Sequence, residues 1–139
     1  GGNYIALNPS TGHQNAIATA VSDDGSLVVG FSIDSSANNQ AVYWSGVNAT
    51  LLDPSNTQFQ LSEATAVSSN GGTIVGWGLN ASTFVEESFY YRSGNLTNFG
   101  GAILAGNASK ATGVSADGNT IVGTVANNFF GPSMMNGFI

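Results

Sequence analysis

The chain has 139 residues and a formal net charge of −6, because eight Asp and Glu stand against two Lys and Arg. Charged residues make up 7% of the sequence, against about 25% in an average globular protein. So few basic groups argue against nucleic acid and anionic membrane surfaces as partners, since both attract clustered Lys and Arg. With no cysteine, the chain has neither disulfides nor thiolate chemistry. No apolar run approaches the roughly 18 residues of a membrane helix, so we expect no insertion into a membrane.

The first predicted strand lies at residues 2–7, and a block that occurs three times along the chain follows it. The block starts at Ala18, Ala64 and Ala111, with separations of 46 and 47 residues. Its first copy reads Ala-Thr-Ala-Val-Ser-Asp-Asp-Gly-Ser-Leu-Val-Val-Gly, and the other two match this pattern without insertion or deletion. Such self-similarity is the signature of a repeat architecture.

Each block predicts a β-hairpin, whose strands we call a and b. Two runs with β propensity flank an Asx-Gly dipeptide, which tolerates the positive φ angles of a type I′ turn. The three dipeptides are Asp24-Gly25, Asn70-Gly71 and Asp117-Gly118. Small residues alternate along strand a, so they share one face and let neighbouring sheets approach closely. A glycine ends the predicted strand b in every copy, where we expect the backbone to bend or pack tightly. These glycines are Gly30, Gly76 and Gly123.

Two further strands follow the hairpins. Strand c is aromatic and lies at residues 41–44, 88–91 and 137–139, and strand d lies at residues 49–52 and 95–99. Four strands in about 46 residues match one blade of a β-propeller. The chain therefore reads as a single domain of three repeats. Strand d at residues 2–7 precedes blades at about 16–53, 62–100 and 109–139.

The two ends of this series are complementary. The third repeat stops at a strand c without a strand d, and the chain starts with a strand d that has nothing before it. We therefore expect the N-terminal strand to complete the last sheet, within one chain or between neighbouring chains, and to cover two exposed edges. The residues assigned to this closure are Tyr4, Ile5, Ala6, Leu7, Gly137, Phe138 and Ile139. The predicted fold class is all-β with β-propeller-like blades, while a three-sheet β-prism and a β-trefoil stay open as alternatives.

The repeated block also carries a family resemblance. The pattern Ala-x-(Ala/Gly)-Val-Ser-x-(Asp/Asn)-Gly-x-x-(Val/Ile)-Val-Gly, followed by an aromatic strand, resembles the HAF-type extracellular repeat of bacteria. The stretch Asn98-Phe99-Gly100-Gly101 is similar to the Leu-Gly-Gly that often precedes the next repeat in that family. The resemblance covers essentially the whole chain. It implies blades like those of a propeller and an extracellular or cell-surface location, as in autotransporter passengers and secreted surface proteins. It implies no defined enzymatic activity.

Catalytic groups are sparse. His13 is the single histidine and lies in a polar loop, and no Gly-x-Ser-x-Gly nucleophile elbow accompanies it. Glu63, Glu86 and Glu87 are the candidates for a glycosidase carboxylate pair. Glu86 and Glu87 are adjacent on a predicted strand, so their side chains point to opposite faces and cannot form that pair. We expect no enzymatic activity, no catalytic residue and no cofactor.

Three aspartates near the first turn suit a calcium site in type. Asp23, Asp24 and Asp34 carry the oxygen ligands that Ca²⁺ prefers. Asp23 and Asp24 are replaced by Ser69-Asn70 and Ala116-Asp117 in the other copies, and the turn itself needs only an Asx-Gly pair. The sequence therefore predicts no metal site.

Aromatic side chains offer the one candidate for ligand binding. Rings with a polar atom suit carbohydrate faces, and a threefold repeat can present several shallow sites. The candidates are Tyr43, Trp44, Trp77, Tyr90 and Tyr91. Since Tyr43 and Tyr90 alternate with Trp44 and Tyr91, one set is expected in the core and the other at the surface.

The leading functional hypothesis is a non-enzymatic protein of the bacterial cell surface or exterior. Its role is structural, assembling or adhesive, and it associates with itself through its terminal strands as a homo-oligomer or a filament. Abundant Gly, Ser, Thr and Asn with few Lys do little to block pairing of sheet edges. The alternative is a lectin-like module that binds glycans through the aromatic residues.

Overall fold

A computed structural model of the chain describes residues 2–103, 106–127 and 134–139. The described residues form an all-β fold of three small antiparallel sheets, with no closed barrel among them. We call the sheets units 1, 2 and 3. Unit 1 contains β1 (Asn15–Val21), β2 (Val28–Ile33), β3 (Asn39–Trp44) and β4 (Ala49–Leu51). Unit 2 contains β5 (Phe59–Val67), β6 (Ile74–Asn80), β7 (Glu86–Arg92) and β8 (Asn95–Asn98). A short helix α1 (Gly100–Ile103) leads to unit 3, which contains β9 (Ala108–Val114), β10 (Ile121–Asn127) and β11 (Met134–Phe138).

The strands follow the repeated sequence. Units 1 and 2 are four-stranded meanders in the orders β1-β2-β3-β4 and β5-β6-β7-β8. These correspond to strands a, b, c and d, so the predicted hairpins and the strands after them are confirmed. Unit 3 has the order β11-β10-β9, and its strand c is an edge of the sheet within the described residues.

The predicted type I′ turn is wrong. A type I′ turn needs positive φ at both central residues, and here only the glycines reach that region, at φ 72°, 71° and 78° for Gly25, Gly71 and Gly118. The chain instead makes a four-residue loop closed by the Ser22 amide donating to the Leu27 carbonyl at 2.9 Å. The side chain of Asp24 accepts the amide of Ser26 at 3.0 Å. This Asx contact stabilises the loop, and Asp24 keeps an ordinary negative φ.

The repeated glycines lie inside strand b and do not end it. In each unit strand a has a β-bulge, with one extra residue between two that pair with strand b. The extra residue is Thr19, Thr65 or Thr112. The carbonyl two residues before the extra threonine lies against strand b, so that a Cβ on Gly76 would lie 2.0 Å from the Glu63 oxygen. Only glycine leaves room for that carbonyl, which is why the same residue recurs at Gly30 and Gly123.

The units stack as a series. Strand β5 of unit 2 packs on β2 and β3 of unit 1, and β9 of unit 3 packs on β6 and β7 of unit 2. We call the contact of units 1 and 2 the first joint and the contact of units 2 and 3 the second joint. The main apolar cluster spans the first joint, with Phe59 and Phe89 at its centre and their ring centroids 5.5 Å apart.

The N-terminal segment does not complete the last sheet of its own chain. Residues 2–7 form no strand, and Asn8 makes a single parallel bridge to Asn48 in unit 1. The Asn8 amide donates to the Val47 carbonyl at 2.7 Å, and the indole N–H of Trp44 donates to the Asn8 carbonyl at 2.8 Å. A buried indole N–H needs a hydrogen-bond acceptor, and for Trp44 that acceptor is the Asn8 carbonyl of the N-terminal segment. Closure within one chain is therefore wrong for this structure.

Candidate assembly interface

Both joints are held by the same threonine contact. At the first joint the Thr19 hydroxyl donates to the Ala64 carbonyl at 2.7 Å. At the second joint the Thr65 hydroxyl donates to the Ala111 carbonyl, also at 2.7 Å. Each of these threonines is the extra residue of a bulge. Its hydroxyl also lies 3.2 or 3.3 Å from a carbonyl of its own strand b, so the contact to the next unit is the shorter of the two. The acceptor is a backbone carbonyl, so the contact does not depend on the side chain at the accepting position.

A serine contact repeats beside it. The Ser62 hydroxyl accepts the Ala41 amide at 3.0 Å across the first joint, and the Ser109 hydroxyl accepts the Ser88 amide at 3.0 Å across the second. Both pairs are buried. A buried amide left without a partner costs about 1–3 kcal/mol, so these hydroxyls are needed once the sheets have stacked.

One position differs between the joints. At the first joint the Asn39 side-chain amide donates to Glu63 at 2.7 Å. At the second, Lys110 lies 3.1 Å from Glu86 and 3.6 Å from the ring centroid of Trp77. An ion pair this exposed contributes about 0–1 kcal/mol. The hydroxyl contacts and the apolar burial therefore recur at both joints, whereas the charged residues differ between them.

Arg92 links the hairpin turns of units 2 and 3 at the second joint. Its Nε donates to the Thr73 hydroxyl at 2.8 Å, and its Nη2 donates to the Gly118 carbonyl in the turn of unit 3. The guanidinium also lies 4.9 Å from the ring centroid of Tyr90. With Lys110, both basic residues of the chain thus act at the second joint.

The structure divides the five aromatic candidates among separate places. Trp44 is 1% exposed and belongs to the core. Trp77 lies under Lys110 at the second joint, and Tyr90 packs against Phe99 with ring centroids 5.8 Å apart. Only Tyr43 and Tyr91 come together. The predicted division into a core set and a surface set does not hold, because Tyr91 is half-buried like Tyr43 and Tyr90 while Trp44 is buried. The five aromatic candidates form no single platform.

Tyr43 and Tyr91 line a cleft at the first joint. Their ring centroids are 6.1 Å apart, and the cleft of about 170 Å³ is completed by apolar Leu27 and Ile74 and by Gly71, Gly72 and Ser93. Partial burial raises the pKa of Tyr91, and the neighbouring Tyr43 raises it further. None of the described residues that line the cleft is Asp, Glu, Lys, Arg or His, so the cleft offers hydroxyl and ring contacts.

The acidic and histidine candidates have separate partners. His13 Nδ1 and the Ser32 hydroxyl are hydrogen-bonded at 2.9 Å. Glu87 is buried and accepts from the side-chain amides of Asn80 and Asn98. Within the described ranges, no three His, Asp or Glu residues come together as potential metal ligands.

The closure residues lie at opposite ends of the series. Tyr4 is fully exposed and Ile5 is 71% exposed, while Leu7 is half-buried near Trp44. Ala6 is exposed as well. Gly137 and Phe138 pair with Thr124 and Gly123 on β10, and Ile139 follows the end of β11.

Sequence reasoning missed the residues that form the joints. Thr19, Thr65 and Thr112 occupy one position of the repeated block, and Ser62 and Ser109 recur 47 residues apart. That repetition was the available signal. It could not be interpreted before the bulge was known, because a regular strand would have placed these hydroxyls differently.

Comparison with known proteins adds no assignment. A scan against models of protein families finds no match to this chain, and a search of curated proteins finds none. In the part of the chain that the structure describes, no helix is long and apolar enough to cross a membrane.

The Asx turns make stability depend on pH at the acidic end. Hydrogen bonds lower the pKa of Asp24 to about 2, chiefly from the Ser26 amide and then from the Ser22 hydroxyl. The Ser115 hydroxyl and then the Asn119 amide lower the pKa of Asp117 to about 2. A depressed folded-state pKa stabilises the fold above the ordinary value of 3.8, and this stabilisation is lost as the pH falls through about 2.

We expect a variant with Asp24→Asn and Asp117→Asn to lose less stability than the unaltered chain on acidification. Asn70 already occupies this position in unit 2, where its side-chain oxygen accepts the Gly72 amide at 2.9 Å. The measurement is the urea midpoint at about pH 5 and about pH 2, the range over which these carboxylates titrate. An equal drop for both proteins would show that these carboxylates do not stabilise the fold.

Proposed function

We propose that this chain is a non-enzymatic structural repeat protein of the bacterial exterior or cell surface, whose role is assembly or adhesion. The observation that carries the proposal is the repetition of one joint. Two successive contacts between units use the same threonine and serine hydroxyls, and within the described residues no such contact joins units 1 and 3. Repeated surfaces that stack on one another are typical of proteins that assemble.

Blade-like units of the β-propeller type are the arrangement we propose for the sheets. Support comes from the four-strand meander of units 1 and 2 and from the packing of strand a on the preceding sheet. The repeat length and the HAF-type sequence pattern favour the same reading over a β-prism or a β-trefoil. The resemblance and the composition also favour the extracellular location.

A lectin-like role is the alternative, and one observation favours it. The cleft of Tyr43 and Tyr91 offers two rings and two hydroxyls beside apolar side chains, a combination that suits the faces and hydroxyls of a sugar. The cleft occurs at the first joint, and the other aromatic candidates lie elsewhere. Assembly therefore has the broader structural support.

Light scattering on a sizing column, over a range of concentrations, tests the proposal. We expect species heavier than the 14.1 kDa chain, growing with concentration. Replacing residues 1–7 with a Gly-Ser sequence of equal length should shift the distribution toward the monomer, because the exposed N-terminal residues are then lost for strand pairing. A strict monomer at every concentration would overturn the proposal. If that monomer also bound glycans saturably, the lectin-like alternative would take its place.

A further inference from the structure

The geometry points to a head-to-tail joint between two copies of this chain, in which unit 1 of one copy packs on unit 3 of the other. The inference rests on the proposed function and specifies its contact. Strand β1 of the second copy would cover β10 and β11 as β5 covers β2 and β3 and as β9 covers β6 and β7. A second copy suits this face because the chain forms the same joint twice within itself.

Unit 3 presents an uncovered half of the joint. Val29, Val75 and Val122 occupy the same register, each opposite the residue that follows the bulge in strand a. Val29 and Val75 are 0% exposed, whereas Val122 is 40% exposed. The difference follows from stacking, because units 1 and 2 are each covered by the strand a of a following unit.

Unit 1 presents the other half. Ala64 and Ala111, the residues before the bulge in β5 and β9, are 0% exposed. Ala18 holds this position in β1 and is exposed. Ile17 stands where the later units carry Glu63 and Lys110, so β1 brings no charge to the contact. The two exposed faces are therefore both apolar. Ala16 stands where β5 and β9 carry Ser62 and Ser109, so this joint would have the threonine contact and the apolar burial without the serine contact.

Thr112 is placed to make the same threonine contact with another copy of the chain. Thr112 is the extra residue of the third bulge, and it is exposed. By the register of the two observed joints, its hydroxyl would donate to the Ala18 carbonyl of the second copy. Every copy supplies this acceptor, because it belongs to the backbone.

The N-terminal segment fits the same joint. Seven residues (52–58) link β4 to β5, and seven residues (8–14) precede β1. If residues 2–7 add to β11 as the fourth strand of unit 3 in another copy, a link of the observed length then carries the chain to β1 on the neighbouring face. The exposed Tyr4 and Ile5 would gain cover, and the edge strand β11 would gain a neighbour.

Such a contact joins different surfaces of the two copies. Head-to-tail contacts of this kind produce a ring when the rotation closes and a filament when it does not. Unit 3 would thus supply one side of each joint and unit 1 the other, and the rotation between copies would set the length of the assembly.

Sedimentation velocity of the whole chain and of two variants tests the joint. Val122→Glu places a charge in the apolar contact and should weaken association at least about tenfold. Thr112→Val keeps the shape, removes the hydroxyl, and should weaken association about threefold to tenfold. Phe84→Glu is the matched control, since Phe84 is 65% exposed in the turn between β6 and β7, and it should assemble like the unaltered chain.

Disulfide trapping gives an independent reading, since the chain has no cysteine of its own. A mixture of Thr112→Cys and Ala18→Cys chains should form the mixed dimer under mild oxidation, while Thr112→Cys with Phe84→Cys should not. Assembly that is unchanged by Val122→Glu, together with no mixed dimer, would overturn this joint and leave the proposed function standing. A chain that never exceeds the monomer would overturn both.

Discussion

Replacing Gly76 with alanine is expected to destabilise the fold by about 3 kcal/mol, a large share of the roughly 5–15 kcal/mol that stabilises a typical domain. The new Cβ would lie 2.0 Å from the Glu63 carbonyl oxygen and 2.6 Å from the Phe89 ring. The carbonyl is backbone within a bulged strand pair, so it cannot move without breaking the pairing of β5 and β6. The free energy of unfolding from urea titration measures the effect.

Gly101→Ala is the control for this prediction. The nearest atom to its new Cβ would be a carboxylate oxygen of Glu87 at 3.9 Å, and alanine favours the helical backbone of α1. We expect its stability to stay within about 0.5 kcal/mol of the unaltered chain. Equal stability of the two variants would show that the bulged strand can relax, and the requirement for glycine would then have another origin.

Phe89→Ala is expected to cost about 3–5 kcal/mol. Phe89 is fully buried, packs against Phe59, and lies over the site of Gly76 at the first joint. The substitution leaves a cavity between two sheets whose backbones are fixed by the bulge contacts, so little collapse is available to fill it. The loss should appear as a lower urea midpoint with an unchanged slope.

Phe84→Ala is the matched control, because it removes the same ring from an exposed turn. Its effect should stay near zero. If both phenylalanine variants lost similar stability, the cluster at the first joint could not be the main core. The main apolar cluster spans the first joint, so Phe89→Ala also tests whether units 1 and 2 unfold together.

The joints explain how a chain with so few charges obtains specific stacking. Each unit offers the same hydroxyls and the same backbone acceptors, and the sheets register on them. Charged pairs such as Lys110 with Glu86 distinguish the second joint from the first. This arrangement supports the proposed structural role, because the polar groups of the joints are engaged with each other.

Local patterns determined much of the architecture. The three blocks, the hairpins at the Asx-Gly dipeptides and the later strands all follow from turn chemistry and strand alternation, which act over a few residues. The sequence also placed a glycine in every strand b. It could not show that this glycine faces a bulge, because the bulge exists only once strands a and b have paired, as the register around Thr65 shows.

Tertiary packing decided the rest. The sequence predicted residues 2–7 as a strand that completes the last sheet, yet Asn8 binds Trp44 and Val47 in unit 1. Likewise nothing local assigns the Thr19 hydroxyl to the carbonyl of Ala64. Backbone carbonyls are chemically alike along the chain, so the choice among them is made by how the sheets stack. The sequence by itself therefore determined the unit and its repetition, and only the tertiary structure decided which surfaces join the units and which remain open.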